Sequence, residues 1–269
     1  MNSIDNQNTN IIKKTPQIPY IFEKINEAIK EQLNFNDEII PLIEEDGNLS
    51  SNIIKLANSR YFITGQKIDS VKNAFLTLGS MKIKNIIMVL SVKDIMDLNN
   101  NNFCDLWEHS LKCAISCEIL ANEYNIISPD DAFALGFLHD IGKTVLYKNN
   151  ADIYHDFNFR VQVQGEDIIE IENSYFNTNH TTEGSTILKK WRMPKIFTDC
   201  ITYHHVPSLS TIPSASGIIY VSDKLSKPDK QAPQIESSIL NRLGLYINDT
   251  KNLKMNIDVK SNFYLEALN

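Results

Sequence analysis

Phe137-Leu138-His139-Asp140-Ile141-Gly142-Lys143 ends an apolar run and sets an imidazole beside a carboxylate. Adjacent side chains of this kind reach one divalent cation only where the backbone is held rigidly, and further ligands must then arrive from other segments. The residues upstream supply the rigidity. Ser128-Pro129-Asp130-Asp131 reads as a helix start, with an N-cap hydroxyl, a proline at the first helical position and an acidic residue reaching back. On the helix that follows, Ala132, Leu135, Gly136 and His139 share one face, whose small residues permit close approach of a neighbour. The His139-Asp140 pair is therefore expected at a helix end.

Other candidate ligands lie on separate segments of a chain with six histidines. Phe103 to Tyr124 reads as one helix, with His109, Cys113, Ser116, Cys117 and Leu120 on one face, so His109 points inward. His180 shares a face with Gly184, Ile187, Leu188 and Trp191. Pro194 restarts a helix that reaches His204-His205, and Pro213 starts another that carries Ile219 and Asp223. Any one of these histidines, taken alone, is explained by a hydrogen bond inside the fold or by solvent. Together, His109, His139, Asp140, His180, His204, His205 and Asp223 form a set of nitrogen and oxygen donors suited to a first-row divalent metal. His155, in the poorly patterned stretch from Tyr147 to Asn177, reads as a surface residue.

At 269 residues and 42% hydrophobic, the chain buries a sizeable core. Nine glycines and nine prolines are too few for a turn-dense β-sandwich, so the reading is helical. A net charge of -7 excludes a broad nucleic-acid footprint, which needs clustered Lys and Arg. Four cysteines lack any C-x-x-C spacing and follow no secretory signal, which fits a reduced cytoplasm. Cys113 and Cys117, one turn apart, read as small buried helix residues rather than a metal pair. No apolar stretch reaches the roughly 18 to 20 residues that span a bilayer.

Residues 1–16 read as a mobile lead-in, and order is expected from Pro16 and Pro19. Ile21, Ile25, Ala28, Ile29 and Leu33 then repeat at helical spacing. Short helices follow around Leu49 to Ala57 and Val71 to Leu78, the latter closed by Gly79. Met81 to Met96 is apolar all round and reads as a buried helix, with strand as the alternative. The Asn99–Asn102 run marks a boundary between an N-terminal helical lobe, 17–100, and a second, 101–230. Residues 231–269 form a C-terminal extension with no evident chemistry.

The order His, His-Asp, His, His-His, Asp resembles the HD phosphohydrolase superfamily. Asp46-Gly47-Asn48-Leu49, Ile54-Lys55-Leu56-Ala57-Asn58-Ser59, Ile68-Asp69-Ser70-Val71 and Leu76-Thr77-Leu78-Gly79 resemble the helical lobe of HDOD domains, HD-related output domains of bacterial signalling proteins. Trp191-Arg192-Met193-Pro194 and Tyr203-His204-His205 fit the second lobe of that family. The resemblance covers roughly residues 16–225 and implies an all-α fold in two lobes, the second an HD-like bundle. It also implies that His109, His139, Asp140 and Asp223 hold one metal ion, with Asp140 bridging, while His180, His204 and His205 hold a second. The metal, whether one ion or two, is left open among Fe, Mn, Zn and Ni.

HDOD domains are regarded as regulatory relatives of HD enzymes, many of which have lost ligands, whereas this sequence keeps the full set. The expectation is a cytoplasmic bacterial signalling module that binds divalent metal and acts through a protein partner or a small ligand such as a nucleotide or second messenger. No receiver, GGDEF or kinase segment is recognisable, so its input is expected from such a partner. The alternative is a metal-dependent phosphohydrolase in which Asp140 and Lys143 are catalytic. Lys143 reads equally as a phosphate contact or as a cation at a helix C-terminus, and Arg192 is a further phosphate candidate. Against hydrolysis, Val206-Pro207-Ser208 follows His204-His205 in place of the Gly-Tyr-Pro segment of HD-GYP enzymes.

Overall fold

The computed structural model describes residues 16–62, 65–96, 104–148, 151–227, 235, 240–241, 244–246 and 249–268. The lead-in expected at 1–16 and the boundary expected at Asn99–Asn102 fall almost wholly outside them. The described residues form helices α1 (Tyr20–Glu31), α2 (Phe35–Glu38), α3 (Ile40–Glu45), α4 (Gly47–Ala57), α5 (Val71–Leu78) and α6 (Ser80–Ile95). There follow α7 (Cys104–Tyr124), α8 (Pro129–Leu138), α9 (Lys143–Tyr147), α10 (Ala151–Phe159), α11 (Ile168–Phe176), α12 (His180–Lys190), α13 (Lys195–Thr202), α14 (Pro213–Leu225) and α15 (Thr250–Leu268). No strand occurs among them. The fold is all-α.

Local chemistry sets most helix starts. Asp46 accepts from the backbone N–H groups of Asn48 and Leu49, both at 3.0 Å, Asp167 from Glu170 at 3.1 Å, and Asn179 from Thr182 at 3.0 Å. Each satisfies donors that the first helical turn leaves free. Ser128 departs from this pattern: its hydroxyl makes no cap bond, and Pro129 with its preset φ opens α8 unaided. Asp130, one place short of the reach-back position, turns to α6. Its carboxylate pairs with Lys82 of α6 at 3.0 Å.

Residues 83–92 of α6 are buried on all sides, as expected for this apolar segment, and Lys84 and Asn85 are buried with them. It packs against α1, α4 and α5 on one side and α8 on the other. Around it a single apolar core runs from Phe22 to Tyr264. α7 and α8 pack closely because position 136 is glycine: a Cβ there would lie 2.8 Å from the Ala114 Cα and the Cys117 Sγ. α12, α13 and α14 complete the bundle, with α14 laid against α7 and α8. α15, for which the sequence offered no role, packs on both α7 and α4 and buries Tyr264.

Candidate metal centre

Five segments bring their ligands to one point inside this bundle. α8 ends at Leu138, so His139 and Asp140 occupy the tight turn that leads into α9. Gly142 seats this turn against the start of α12: any Cβ there would collide with the His180 carbonyl and come within 2.6 Å of the Gly184 nitrogen. His180, the first residue of α12, thereby meets Asp140. His109 enters from α7 and Asp223 from the last turn of α14. His204 and His205 lie just past α13, which stops at Thr202, short of the predicted His204.

Two groups of ligand atoms result, each with all members within 4.8 Å of one another: His109, His139, Asp140 and Asp223, and His180, His204 and His205. All seven candidate residues read from the sequence fall in these two groups. Asp140 faces both groups, its Oδ2 3.3 Å from His139 Nε2 and 3.8 Å from His109 Nε2, and its Oδ1 3.3 Å from His180 Nε2. Asp223 Oδ1 lies 3.2 Å from His109 Nε2 and 3.8 Å from His139 Nε2. His180 Nε2 and His205 Nε2 are 3.0 Å apart. Two nitrogens bound to a common ion at about 2.0–2.1 Å lie about 2.9–3.4 Å apart, so this spacing suits shared coordination.

The far side of each ring fixes which nitrogen is offered. His139 Nδ1 lies 2.8 Å from the Gly136 carbonyl and His204 Nδ1 2.8 Å from the Ile201 carbonyl. A carbonyl can only accept, so both Nδ1 atoms carry a proton; the His204 Nε2, which burial keeps unprotonated, is left as a lone-pair donor, while His139 Nε2 faces the carboxylates of Asp140 and Asp223. The His204 Nε2 is buried with no hydrogen-bond partner. Such a group costs about 1–3 kcal/mol when nothing satisfies it. A divalent cation bound here would do so, and the donor set of imidazoles and carboxylates fits one.

Charge agrees with this chemistry. Burial acts to raise the Asp140 carboxyl, but His139 and Lys143 beside it carry it well below the usual carboxylate range. Asp223 is likewise held low against burial by Lys227 and by hydrogen bonds from His109 and His139. Burial pushes His204 down to about 3, helped by the neighbouring His139 and His180, and it lowers His205 and, more mildly, His109. His139 runs the other way: burial opposes its proton, but the two carboxylates raise it to about 10. Positive charge is what the pair of buried carboxylates demands at this point.

Lys143 does not cap a helix C-terminus. It begins α9, and its ammonium sits 2.6 Å from Asp140 Oδ2. Beside it a cleft of 540 Å³ opens to solvent, walled by His109, Lys112, Lys143, Tyr154, His155 and Lys227 among others. Lys112 and Lys227 in this wall escaped the sequence reading. His155 is exposed as expected, yet it borders the site. Arg192 is exposed and absent from the wall. The largest omission was Glu172 of α11, fully buried against His180. It sits with Ile168, Ile171 and Phe176 on one apolar stripe, and a glutamate there was the available signal.

A protein-family model, described as the HDOD domain, matches residues 15–207. The chain belongs to the HDOD family. Among curated proteins this HDOD chain is 30% identical over 155 residues to the protein YuxH of Bacillus subtilis, an alignment that covers 58% of this chain and 37% of that one. The chain spans less than half the length of the curated relatives it matches. Among solved structures it is similar to an HDOD domain protein from Geobacter sulfurreducens, at a TM-score of 0.74 and 20% identity, covering 96% of this chain and 94% of that one. A candidate phosphohydrolase from Shewanella amazonensis aligns over 97% of both chains with a TM-score of 0.73 and 16% identity. These likenesses establish the HDOD helical fold.

Proposed function

We propose that this HDOD protein is a bacterial signal-transduction module that binds divalent metal in its helical bundle and acts through contacts with a protein or a small ligand. The observation that carries the metal reading is the convergence of five histidines and two aspartates on one buried point, where the His204 Nε2, its Nδ1 proton committed to the Ile201 carbonyl, has no partner on the inner side. Regulation rather than turnover is favoured by the state of the cleft's cations. Lys143, Lys227 and Lys112 are paired with Asp140, Asp223 and Asp258, at 2.6, 2.8 and 2.8 Å. A phosphate entering the cleft would have to compete with all three carboxylates.

A second reading, a metal-dependent phosphohydrolase acting on a nucleotide or cyclic nucleotide, draws support from the cleft itself, because it reaches His109 and Lys143 at the edge of the ligand cluster. Bound divalent metal would supply Lewis acidity toward a phosphoryl oxygen and toward water. Lys143 would hold Asp140 ionised and meet the substrate's negative charge. The separating experiment is turnover by metal-loaded protein across a panel of nucleotides, cyclic nucleotides and cyclic dinucleotides. No robust hydrolysis is expected. Hydrolysis that disappears in Asp140→Ala, with the helical fold retained, would make the second reading correct.

A further inference from the structure

We propose that Glu172 is the positioning residue that fixes His180 as a metal ligand, so that the site containing His180, His204 and His205 depends on a carboxylate that touches neither metal nor cleft. This assignment rests on the metal reading above and concerns one of its two ligand groups.

Glu172 is fully buried, and both of its oxygens are engaged. Oε2 accepts from the His180 backbone N–H at 2.8 Å and from His180 Nδ1–H at 2.7 Å, while Oε1 accepts from the Tyr147 hydroxyl at 2.7 Å. Two bonds from one residue to one oxygen fix the ring's tautomer and its orientation together. With the proton on Nδ1, the Nε2 lone pair faces Asp140 Oδ1 at 3.3 Å and His205 Nε2 at 3.0 Å. The Glu172 charge also makes that imidazole a stronger donor.

The other histidines are held differently. His139 and His204 lean on neutral backbone carbonyls, and His109 Nδ1 meets the Ser226 hydroxyl at 3.1 Å. Among the described residues, His180 differs from these three in having its Nδ1 backed by a carboxylate. Tyr147 is itself clamped: its ring packs on Tyr154, Phe157 and Phe176 at centroid distances of 5.2, 6.0 and 5.6 Å. Burying a carboxylate among these rings is costly unless every lone pair is used. The geometry gives Glu172 a positioning role toward His180, and not a general structural one, because two of its three bonds end on that residue.

The test is Co2+ titration of the full chain by calorimetry, with metal content by elemental analysis, for wild type, Glu172→Gln and Tyr147→Phe. Wild type is expected to take up two ions. Glu172→Gln keeps the side chain's shape and removes its charge, so it should bind one ion with unchanged affinity and the other about 10- to 100-fold more weakly. Tyr147→Phe should give a smaller loss at the same ion. The retained ion shows that the variant is folded. In parallel, 15N shifts of the wild-type His180 ring should report the proton on Nδ1. Glu172→Gln binding both ions at wild-type affinity, or losing both equally, overturns the assignment of Glu172 alone. Wild type that binds no ion overturns the metal reading, and this assignment with it.

Discussion

His204 shows most clearly what the centre demands of a single residue. Its ring is enclosed, its Nδ1 proton goes to the Ile201 carbonyl, and burial together with His139 and His180 lowers its pKa to about 3. A group whose folded pKa lies below its unfolded value of about 6.5 resists a proton that the unfolded chain accepts. Its neutral state therefore supports the fold above about pH 6.5, and that support is lost as pH falls from there toward 3. In chelator-treated protein, His204→Gln should remove this contribution: between pH 7 and 5.5 the variant should lose about 1 kcal/mol less stability than wild type, measured by urea unfolding. Equal losses in the two proteins would show that His204 does not stay neutral as described.

At the scale of elements, the site exists because helix ends meet, and Gly142 is the position that lets them. Its missing side chain allows the turn after α8 to lie against the start of α12. Gly142→Ala should therefore destabilise the protein by about 1–3 kcal/mol in urea unfolding, with metal retention reduced in proportion. Gly47→Ala is the control, since nothing lies within 4 Å of a Cβ there. Similar midpoints for the two variants would contradict this packing. The clustered residues were legible in the sequence as candidate ligands because helical spacing placed His109 and His180 on apolar faces and because prolines marked the starts of α8 and α14. Glu172 was not, since its role depends on α11 and α12 folding back on one another, and neighbours such as Asn173 and Ser174 make the segment read as polar surface. That α13 stops at Thr202, short of His204, has a similar origin: the chain must leave the helix for both imidazoles to face inward.

Across the whole molecule, the His/Asp cluster is accompanied, among the described residues, by a second polar assembly that joins distant segments. In the other, Glu118 of α7 receives the Tyr61 hydroxyl and the Lys82 ammonium, and Lys82 also reaches Asp130 at 3.0 Å. Tyr264 of α15 packs edge-on against Tyr61 at 5.2 Å, so the C-terminal segment is tied into this junction. Sequence periodicity marked α15 only through scattered apolar residues, because a helix that contacts both α4 and α7 buries a narrow, discontinuous stripe. As a metal centre, the buried imidazoles and carboxylates would stabilise the fold. Metal content and melting temperature of protein purified without chelator, for wild type and His139→Ala, test that claim most directly. A metal bound only by the folded state raises its stability by mass action. Wild type should carry divalent metal and lose melting temperature when stripped of it, and His139→Ala should hold less metal and melt lower. Metal content and melting temperature that are the same in both proteins would contradict the account.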